Sequence, residues 1–329
     1  MSATTTPKDH PILHFQDARS LSQLYCSDEA QLLLIEKTLG ITIVTRDNWI
    51  QFQGDQDASA KGLQLFQALD KARSQGLKIR DTDIRYILHL LTEGEPSQID
   101  ALLDSPLKLK VRNKTLVPKT LNQKLYLTAI PSHSITFGIG PAGTGKTYLA
   151  MASAIQSLLE GGHRKIVLTR PAVEAGEALG YLPGDLQEKI LPYLRPLYDA
   201  MEDMLGKTDT QKLIDRGQIE IAPLAYMRGR TLANSFIILD EAQNTTTEQM
   251  MMFLTRLGED SRMVITGDIT QIDLPRARQS GLTEAVRILR GIPGIHLFTF
   301  EKSDVVRHPV VQQILLAYEK ARASEQTKA

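Results

Sequence analysis

Gly140-Pro141-Ala142-Gly143-Thr144-Gly145-Lys146-Thr147 decides the fold. Its spacing is G-x-x-x-x-G-K-[ST], and its neighbours place it. Residues 135–139, Ile-Thr-Phe-Gly-Ile, read as a buried strand, and residues 148–159 carry the periodicity of an amphipathic helix. Strand, glycine-rich turn and helix in that order make a phosphate cradle. Glycines let backbone N–H groups curl round an anion, and the phosphates rest on the helix N-terminus. Lys146 then reaches the β- and γ-phosphates, and the Thr147 hydroxyl is a ligand of Mg2+. The alternative is a plain glycine-rich turn, which the flanking strand and helix argue against.

A second apolar strand, Phe236-Ile237-Ile238-Leu239, ends in Asp240 and Glu241. One carboxylate is needed in the Mg2+ shell with Thr147, and a second can take a proton from an attacking water. Asp240 is assigned to the metal and Glu241 to the general base. A third strand at 263–266 runs into Gly267-Asp268-Ile269-Thr270-Gln271. Parallel sheets bind ligands at the carboxyl ends of their strands, so Asp268 and Gln271 are expected to face the phosphates. The Gln271 amide both donates and accepts, which suits it to orient water or sense the γ-phosphate. Thr245 and Glu248 have capping-box spacing at a helix start, and Gly258 is expected to end that helix.

Apolar runs at 134–139, 165–169, 219–221, 236–239, 263–266 and 295–300 alternate with helical segments. The expected fold is therefore α/β, a parallel sheet with helices on both faces, over residues 121–318. Ahead of it, residues 11–95 read as a small α+β module of order β-α-β-β-α-α. Ser27 caps a helix that Gly40 ends, residues 41–45 and 49–52 form a hairpin, and helices follow from about 59 to 75 and from Asp81. Residues 1–10 and 319–329 are polar tails. Residues 96–120 read as a basic linker, punctuated by prolines, with residues 108–111 a candidate short strand. From Asp104 to Glu160 there is no acid, while Lys108, Lys110, Arg112, Lys114, Lys119, Lys124 and Lys146 intervene. Such clustering is a solvated linker or a region that steers an anion.

Composition excludes several classes. The chain has 329 residues, 42% hydrophobic and 23% charged, enough for a packed core. The lone cysteine, Cys26, excludes an internal disulfide framework and a multi-cysteine zinc site. The first 20 residues lack an apolar core, and no run reaches the roughly 18 apolar residues of a membrane span. A cytoplasmic protein without membrane contact is expected. Lys and Arg number 38, as do Asp and Glu, so global charge makes no case for nucleic acid. Met250-Met251-Met252-Phe253 and Trp49 are expected in cores, and His308 has no neighbouring His or Cys that would make it a metal ligand.

Beyond the cradle, longer stretches carry a resemblance. They are LTRPAVEAGEALGYLPGD at 168–185, YMRGRTL at 226–232, DEAQN at 240–244, TGDITQIDLP at 266–275 and DVVRH at 304–308. With the cradle they span most of residues 120–320, and the chain resembles the PhoH family of P-loop ATPases. The resemblance implies a P-loop NTPase fold like RecA and the first lobe of superfamily I helicases, with ATP and Mg2+ as ligands. It also implies an ATPase associated with RNA, beside an rRNA-processing endoribonuclease in related members. The N-terminal module resembles a KH-like fold, of order β-α-α-β-β-α if residues 18–26 form a short helix. It departs from that pattern at Leu24-Tyr25-Cys26-Ser27-Asp28-Glu29, where a KH module has its GXXG loop and this chain has no glycine and two acids.

Asn122-Gln123 resembles the helicase Q motif, which implies that Gln123 reads adenine and that Tyr126 lies against the base. The transition state at a γ-phosphate needs added positive charge. After its N-terminal module the chain is too short for a second lobe to supply it. A neighbouring subunit is the expected source, through Arg228, Arg230, Arg256 or Arg307, in a ring of about six subunits. Arg170 is a candidate for contact with a nucleic-acid phosphate. Two rivals stand beside an RNA-linked ATPase: a nucleotide-switched scaffold that recruits a nuclease, and a small-molecule phosphotransferase.

Overall fold

The computed structural model describes residues 10–93, 99, 103, 109–112, 114–171, 186–275, 278–306, 310 and 314. Arg307, His308, the turn at 180–184 and the expected tails, apart from His10, lie outside the described residues. The chain divides into two compact units. Residues up to 108 join 117–125 in one, and residues 109–116 join those from 126 onward in the other.

The N-terminal unit runs β1 (Ile12–His14), α1 (Ala18–Leu24), α2 (Glu29–Leu39), β2 (Thr42–Arg46), β3 (Trp49–Gln53), α3 (Gln56–Ser74) and α4 (Asp81–Thr92). The helix at 18–24 completes the β-α-α-β-β-α order. It starts at Asp17, whose carboxylate accepts the Ser20 N–H at 2.7 Å. The strands form an antiparallel sheet of order β1-β3-β2, with Leu13 opposite Ile50 and Ile43 opposite Phe52. Leu24, Ile35, Ile50, Phe52, Leu65 and Phe66 fill the core beneath it. Gly62 lets α3 approach closely, since a Cβ there would sit 2.9 Å from both Ile41 and Phe52. Asp28, not Ser27, caps α2. Cys26 and Ser27 instead hold φ of 61° and 55°, a left-handed pair between α1 and α2. Trp49 starts the central strand β3, opposite His14 and Arg46, and is half-buried rather than a core residue.

The larger unit contains a hairpin, β4 (Leu109–Val111) with β5 (Lys114–Leu116), inside the stretch read as a linker. It is folded structure held by charge. Arg112 pairs with Asp209 and Lys114 with Asp203, so two of the basic residues face acids of this same unit. Helix α5 (Leu121–Ser132) spans the division, with Leu121–Leu125 counted in the N-terminal unit and Tyr126 onward in this one.

After α5 come β6 (Ile135–Ile139), α6 (Lys146–Leu159), β7 (Lys165–Arg170), α7 (Leu186–Leu205), α8 (Lys207–Asp215) and β8 (Ile219–Pro223). Then follow β9 (Ser235–Leu239), α9 (Thr247–Leu254), β10 (Arg262–Gly267), α10 (Gly281–Ile288) and β11 (Ile295–Thr299). All six expected strands of the α/β region are present. They form one parallel sheet of order β11-β6-β10-β9-β7-β8. Every residue of β6 and β9 is buried, as helices on both faces require. The order sets the chemistry, because β10 lies between the cradle strand β6 and the carboxylate strand β9.

Thr245 is fully buried and its hydroxyl donates to the Ala242 carbonyl at 2.8 Å, so the capping box moves one residue on, to Thr246 and Gln249. Helix α9 ends at Leu254 rather than at Gly258. Gly258 serves a close approach: a Cβ there would lie 2.7 Å from the Leu232 carbonyl. Met250 and Phe253 are core, while Met251 is exposed.

Glu220, on the edge strand β8, receives two bonds from Arg230, at 2.6 and 2.8 Å, and one from Lys165. The Arg230 bonds, with help from Lys165, hold its carboxyl at about 2, below its ordinary 4.5. A carboxyl depressed in the folded state adds stability above its unfolded pKa, and that stability is lost as pH falls through the folded value. The Glu220 contribution is thus whole at pH 7 and drains between about pH 4.5 and 2. After solvent screening it is on the order of 2 kcal/mol. Urea unfolding at pH 7 should show Glu220→Gln weaker by about that amount, with the gap to the parent closing towards pH 2.5. A gap that stays constant with pH would rule this out.

Candidate nucleotide site

Between β6 and α6, Gly140, Gly143 and Gly145 take φ of 151°, 90° and 83°, which turns the chain tightly enough to aim its amides inward. Gly140 is also packed: a Cβ would meet Phe300 at 2.7 Å. Pro141 and Ala142 are half-buried, and the buried Thr144 donates its hydroxyl to the Pro141 carbonyl at 3.0 Å, closing the turn from inside. The Val306 N–H donates to the Gly143 carbonyl at 2.9 Å and ties the segment after β11 to the cradle. Lys146 reaches back to the Pro141 carbonyl at 3.2 Å. Burial pushes its ammonium below the ordinary lysine range, against the opposing pull of Asp268, Asp240 and Glu241. A partly desolvated cation of this kind gains from an anion placed beside it.

The Thr147 hydroxyl donates to Asp240 Oδ1 at 2.7 Å, and the Thr266 hydroxyl donates to the same oxygen at 2.9 Å. Three hard oxygen donors from α6, β9 and β10 converge here, which fits Mg2+ held by one carboxylate, a hydroxyl and substrate phosphates. Asp240 is buried, as a carboxylate is when a metal or donors satisfy it. Glu241 follows at φ 52°, left-handed for a residue with a Cβ. Strain of this kind costs about 1–3 kcal/mol and turns the side chain out of the strand direction. Its Oε2 accepts from Gln243 Nε2 at 2.6 Å, and its Oε1 lies 3.4 Å from Arg170.

Gln243 lies in the DEAQN stretch that carries the resemblance, but the sequence reading gave it no role of its own. Almost fully buried, it donates to Glu241 with one end and with the other accepts the Asp268 N–H at 3.0 Å. Asp268 in turn accepts from the Thr270 hydroxyl at 2.6 Å and from Gln271 Nε2 at 2.8 Å. The end of β9 and the loop after β10 are thereby one hydrogen-bonded network, with Gln271 exposed at its tip. Its signal in the sequence was the fourth residue of DEAQ, a buried-type position given to an amide.

The family model for PhoH-like proteins matches residues 115–319, more than half of the chain. The chain belongs to the PhoH family. A PhoH-like protein of Bacillus subtilis is 48% identical over 297 residues, 90% of this chain and 93% of the relative. One from Mycobacterium tuberculosis is 50% identical over 294 residues, 89% of this chain and 83% of that one. Protein PhoH of Escherichia coli is 47% identical over 195 residues, 59% of this chain and 55% of that protein. The larger unit has the P-loop NTPase fold of its family.

In this PhoH chain the arginine candidates separate. Arg170 ends β7 and lies beside the paired carboxylates, 3.9 Å from Asp240 and 3.4 Å from Glu241. Arg230 is taken by Glu220, and Arg256 donates to the carbonyls of Met252 and Arg230 at 2.9 and 3.0 Å, which caps α9. Both hold the fold together. Arg228 is exposed after β8, at the carboxyl end of the sheet beside the exposed Tyr226, and has no ion pair among the described residues.

Gln123 is placed otherwise than the adenine reading requires. It is buried, its oxygen accepts the Lys119 N–H at 2.7 Å, and its own N–H donates to the Thr120 hydroxyl. Those are bonds of a helix start, and the residue is grouped with the N-terminal unit. Tyr126 is fully buried against Phe298 and Phe300, where no base can stack on it. Its hydroxyl has no hydrogen-bond partner among the described residues, and burial pushes its ionisation far up. Tyr126→Phe removes that orphan and should raise stability by about 1 kcal/mol. A melting temperature higher by about 2–4 °C is the expected readout, and a lower one would point to an ordered water on the hydroxyl.

Proposed function

We propose that this PhoH-family chain is a Mg2+-dependent ATPase whose turnover is coupled to RNA. The observation that carries the hydrolytic part is Glu241. It stands next to a buried Asp240 that holds the cradle's Thr147, and is fixed by a buried amide. Pure nucleotide binding needs no such second carboxylate, which favours hydrolysis over the scaffold reading. Mg2+, when bound by Thr147 and Asp240, neutralises charge on the β- and γ-phosphates. Lys146 holds those phosphates. Glu241 takes the proton of a water whose oxygen joins the γ-phosphorus as the bond to the β-phosphate oxygen breaks, leaving ADP and inorganic phosphate. Gln271 senses the γ-phosphate through Asp268.

The base side falls to a different group from Gln123. Tyr148 follows Thr147 in the first turn of α6, next to the residues that would hold the phosphates. Its hydroxyl donates to Asp203 at 2.6 Å, and Asp203 also receives Lys114, whose ammonium lies 5.7 Å from the ring centre. A half-buried ring held at its tip is a stable face for a base. The RNA part rests on the family resemblance, and an rRNA-processing endoribonuclease as partner belongs to the same proposal. So does a homo-oligomeric ring in which Arg228 enters the neighbour's site.

Phosphate release with and without single-stranded RNA, in Mg2+ and in excess EDTA, tests the core of this. The expected result is release that needs Mg2+ and rises with RNA. Nucleotide binding without release would return the chain to the scaffold reading. For the ring, Arg228→Ala and Glu241→Gln subunits, each inactive alone, should regain part of the activity on mixing, because intact arginine and intact base meet at some interfaces. A fully active monomer by light scattering would remove that assembly.

A further inference from the structure

The general base is not presented bare. One Glu241 oxygen accepts a short bond from Gln243, at 2.6 Å, and the other faces Arg170 at 3.4 Å. The second contact is the loose one. Arg170 is shared between two carboxylates, since its other nitrogen lies 3.9 Å from Asp240, and both distances exceed the roughly 2.7–2.9 Å of a charge-assisted bond. Its side chain is 22% exposed and so is reachable from solvent. A guanidinium held at arm's length by two acids is free to prefer a better anion. Phosphate is that anion, because its oxygens match the planar fork bidentately. When Arg170 turns to a phosphate, Glu241 keeps its Gln243 bond, and its second oxygen, on a side chain already 37% exposed, loses the cation that opposes its taking a proton.

We propose that Arg170 is a phosphate-operated latch on the general base: it holds Glu241 until an incoming phosphate oxyanion takes the guanidinium. The proposal rests on Glu241 being the base, as set out above. Two sources of phosphate share this chemistry, the γ-phosphate of the nucleotide and a phosphodiester of a polynucleotide.

Linkage gives a test that needs no turnover. If phosphate must displace Glu241 from Arg170, then neutralising Glu241 makes that displacement easier and tightens phosphate binding. The full chain would be titrated, by fluorescence anisotropy, with labelled ATPγS, labelled ADP and a labelled 20-nucleotide single-stranded RNA without nucleotide. These titrations would use the parent, Glu241→Gln, Arg170→Gln and the double variant. Tightening by about 5-fold in Glu241→Gln for ATPγS but not ADP identifies the γ-phosphate as the trigger. The same tightening for RNA identifies the phosphodiester. In either case it should vanish in the Arg170→Gln background, the mark of a direct coupling. No tightening in any arm, or tightening that persists without Arg170, would overturn the latch. Arg170→Lys, which keeps the charge but loses the fork, guards against a folding defect and should show less than half of the coupling. Phosphate release keeps the two claims apart. Glu241→Gln that hydrolyses ATP at the parental rate removes the base itself, whereas a dead Glu241→Gln with no coupling removes only the latch.

Discussion

Glu241→Gln should lower kcat by about a thousandfold without weakening ATP binding. General-base catalysis contributes ~10²–10⁴ in rate, and a glutamine amide cannot take a proton from water. The substitution is nearly isosteric, and its amide oxygen still accepts the Gln243 bond that orients the side chain. Asp240, Thr147 and Lys146 are untouched, so the phosphate and Mg2+ contacts remain. Single-turnover phosphate release beside equilibrium binding of ATP separates the two effects. A fall in affinity with kcat preserved would mean that Glu241 is a ligand rather than the base.

Gln243→Ala should act on the same step from one residue further away. It cuts both the bond to Glu241 and the acceptor of the Asp268 N–H, so base and sensor loop lose their common anchor. A fall of about tenfold in kcat with KM little changed is expected from loosened positioning. Gln243→Glu keeps the acceptor for Asp268 but sets a carboxylate against Glu241, and should be worse for turnover than alanine.

The sheet was legible because its strands are continuous apolar runs, the pattern of strands buried on both faces. Residues 236–239 and 263–266 could hardly be anything else. The cradle was legible because phosphate binding imposes both glycine and lysine at fixed spacing. What the pattern hides is non-local. Nothing near Lys114 announces Asp203, which lies far along the chain, so the strand at 114–116 that pairs with 109–111 read as linker. Arg230 looked as available as Arg228 until Glu220 came beside it through the packing of β8. Gln123 carries a motif's letters, but Thr120 and Lys119 supply local partners that the letters do not show. Three consecutive threonines at 245–247 leave a capping register undetermined, and burial of Thr245 selects it.

Lys146→Ala should weaken nucleotide binding by about a hundredfold, the other large effect. Two causes add. The substitution removes the cation that meets the β- and γ-phosphates, and it leaves the anions near it without an answer. Asp268, Asp240 and Glu241 all bear on this ammonium, and burial already holds it below its ordinary range. With alanine there, three carboxylates and a triphosphate would share one cleft against Mg2+ alone. Truncating one partner of a desolvated charge pair costs ~2–5 kcal/mol, and a hundredfold in Kd is about 2.7 kcal/mol. ADP keeps the β-phosphate and loses the γ, so its affinity should fall by a smaller factor than that of ATP. Lys146→Arg tests whether charge alone is enough. The bulkier fork must fit where Nζ now reaches the Pro141 carbonyl at 3.2 Å, inside a turn closed by Thr144. It should recover little binding, since shape and charge are both set by that turn. Calorimetric titration of ATP and ADP into the three proteins gives the ratios, and equal losses for ATP and ADP would place Lys146 away from the γ-phosphate.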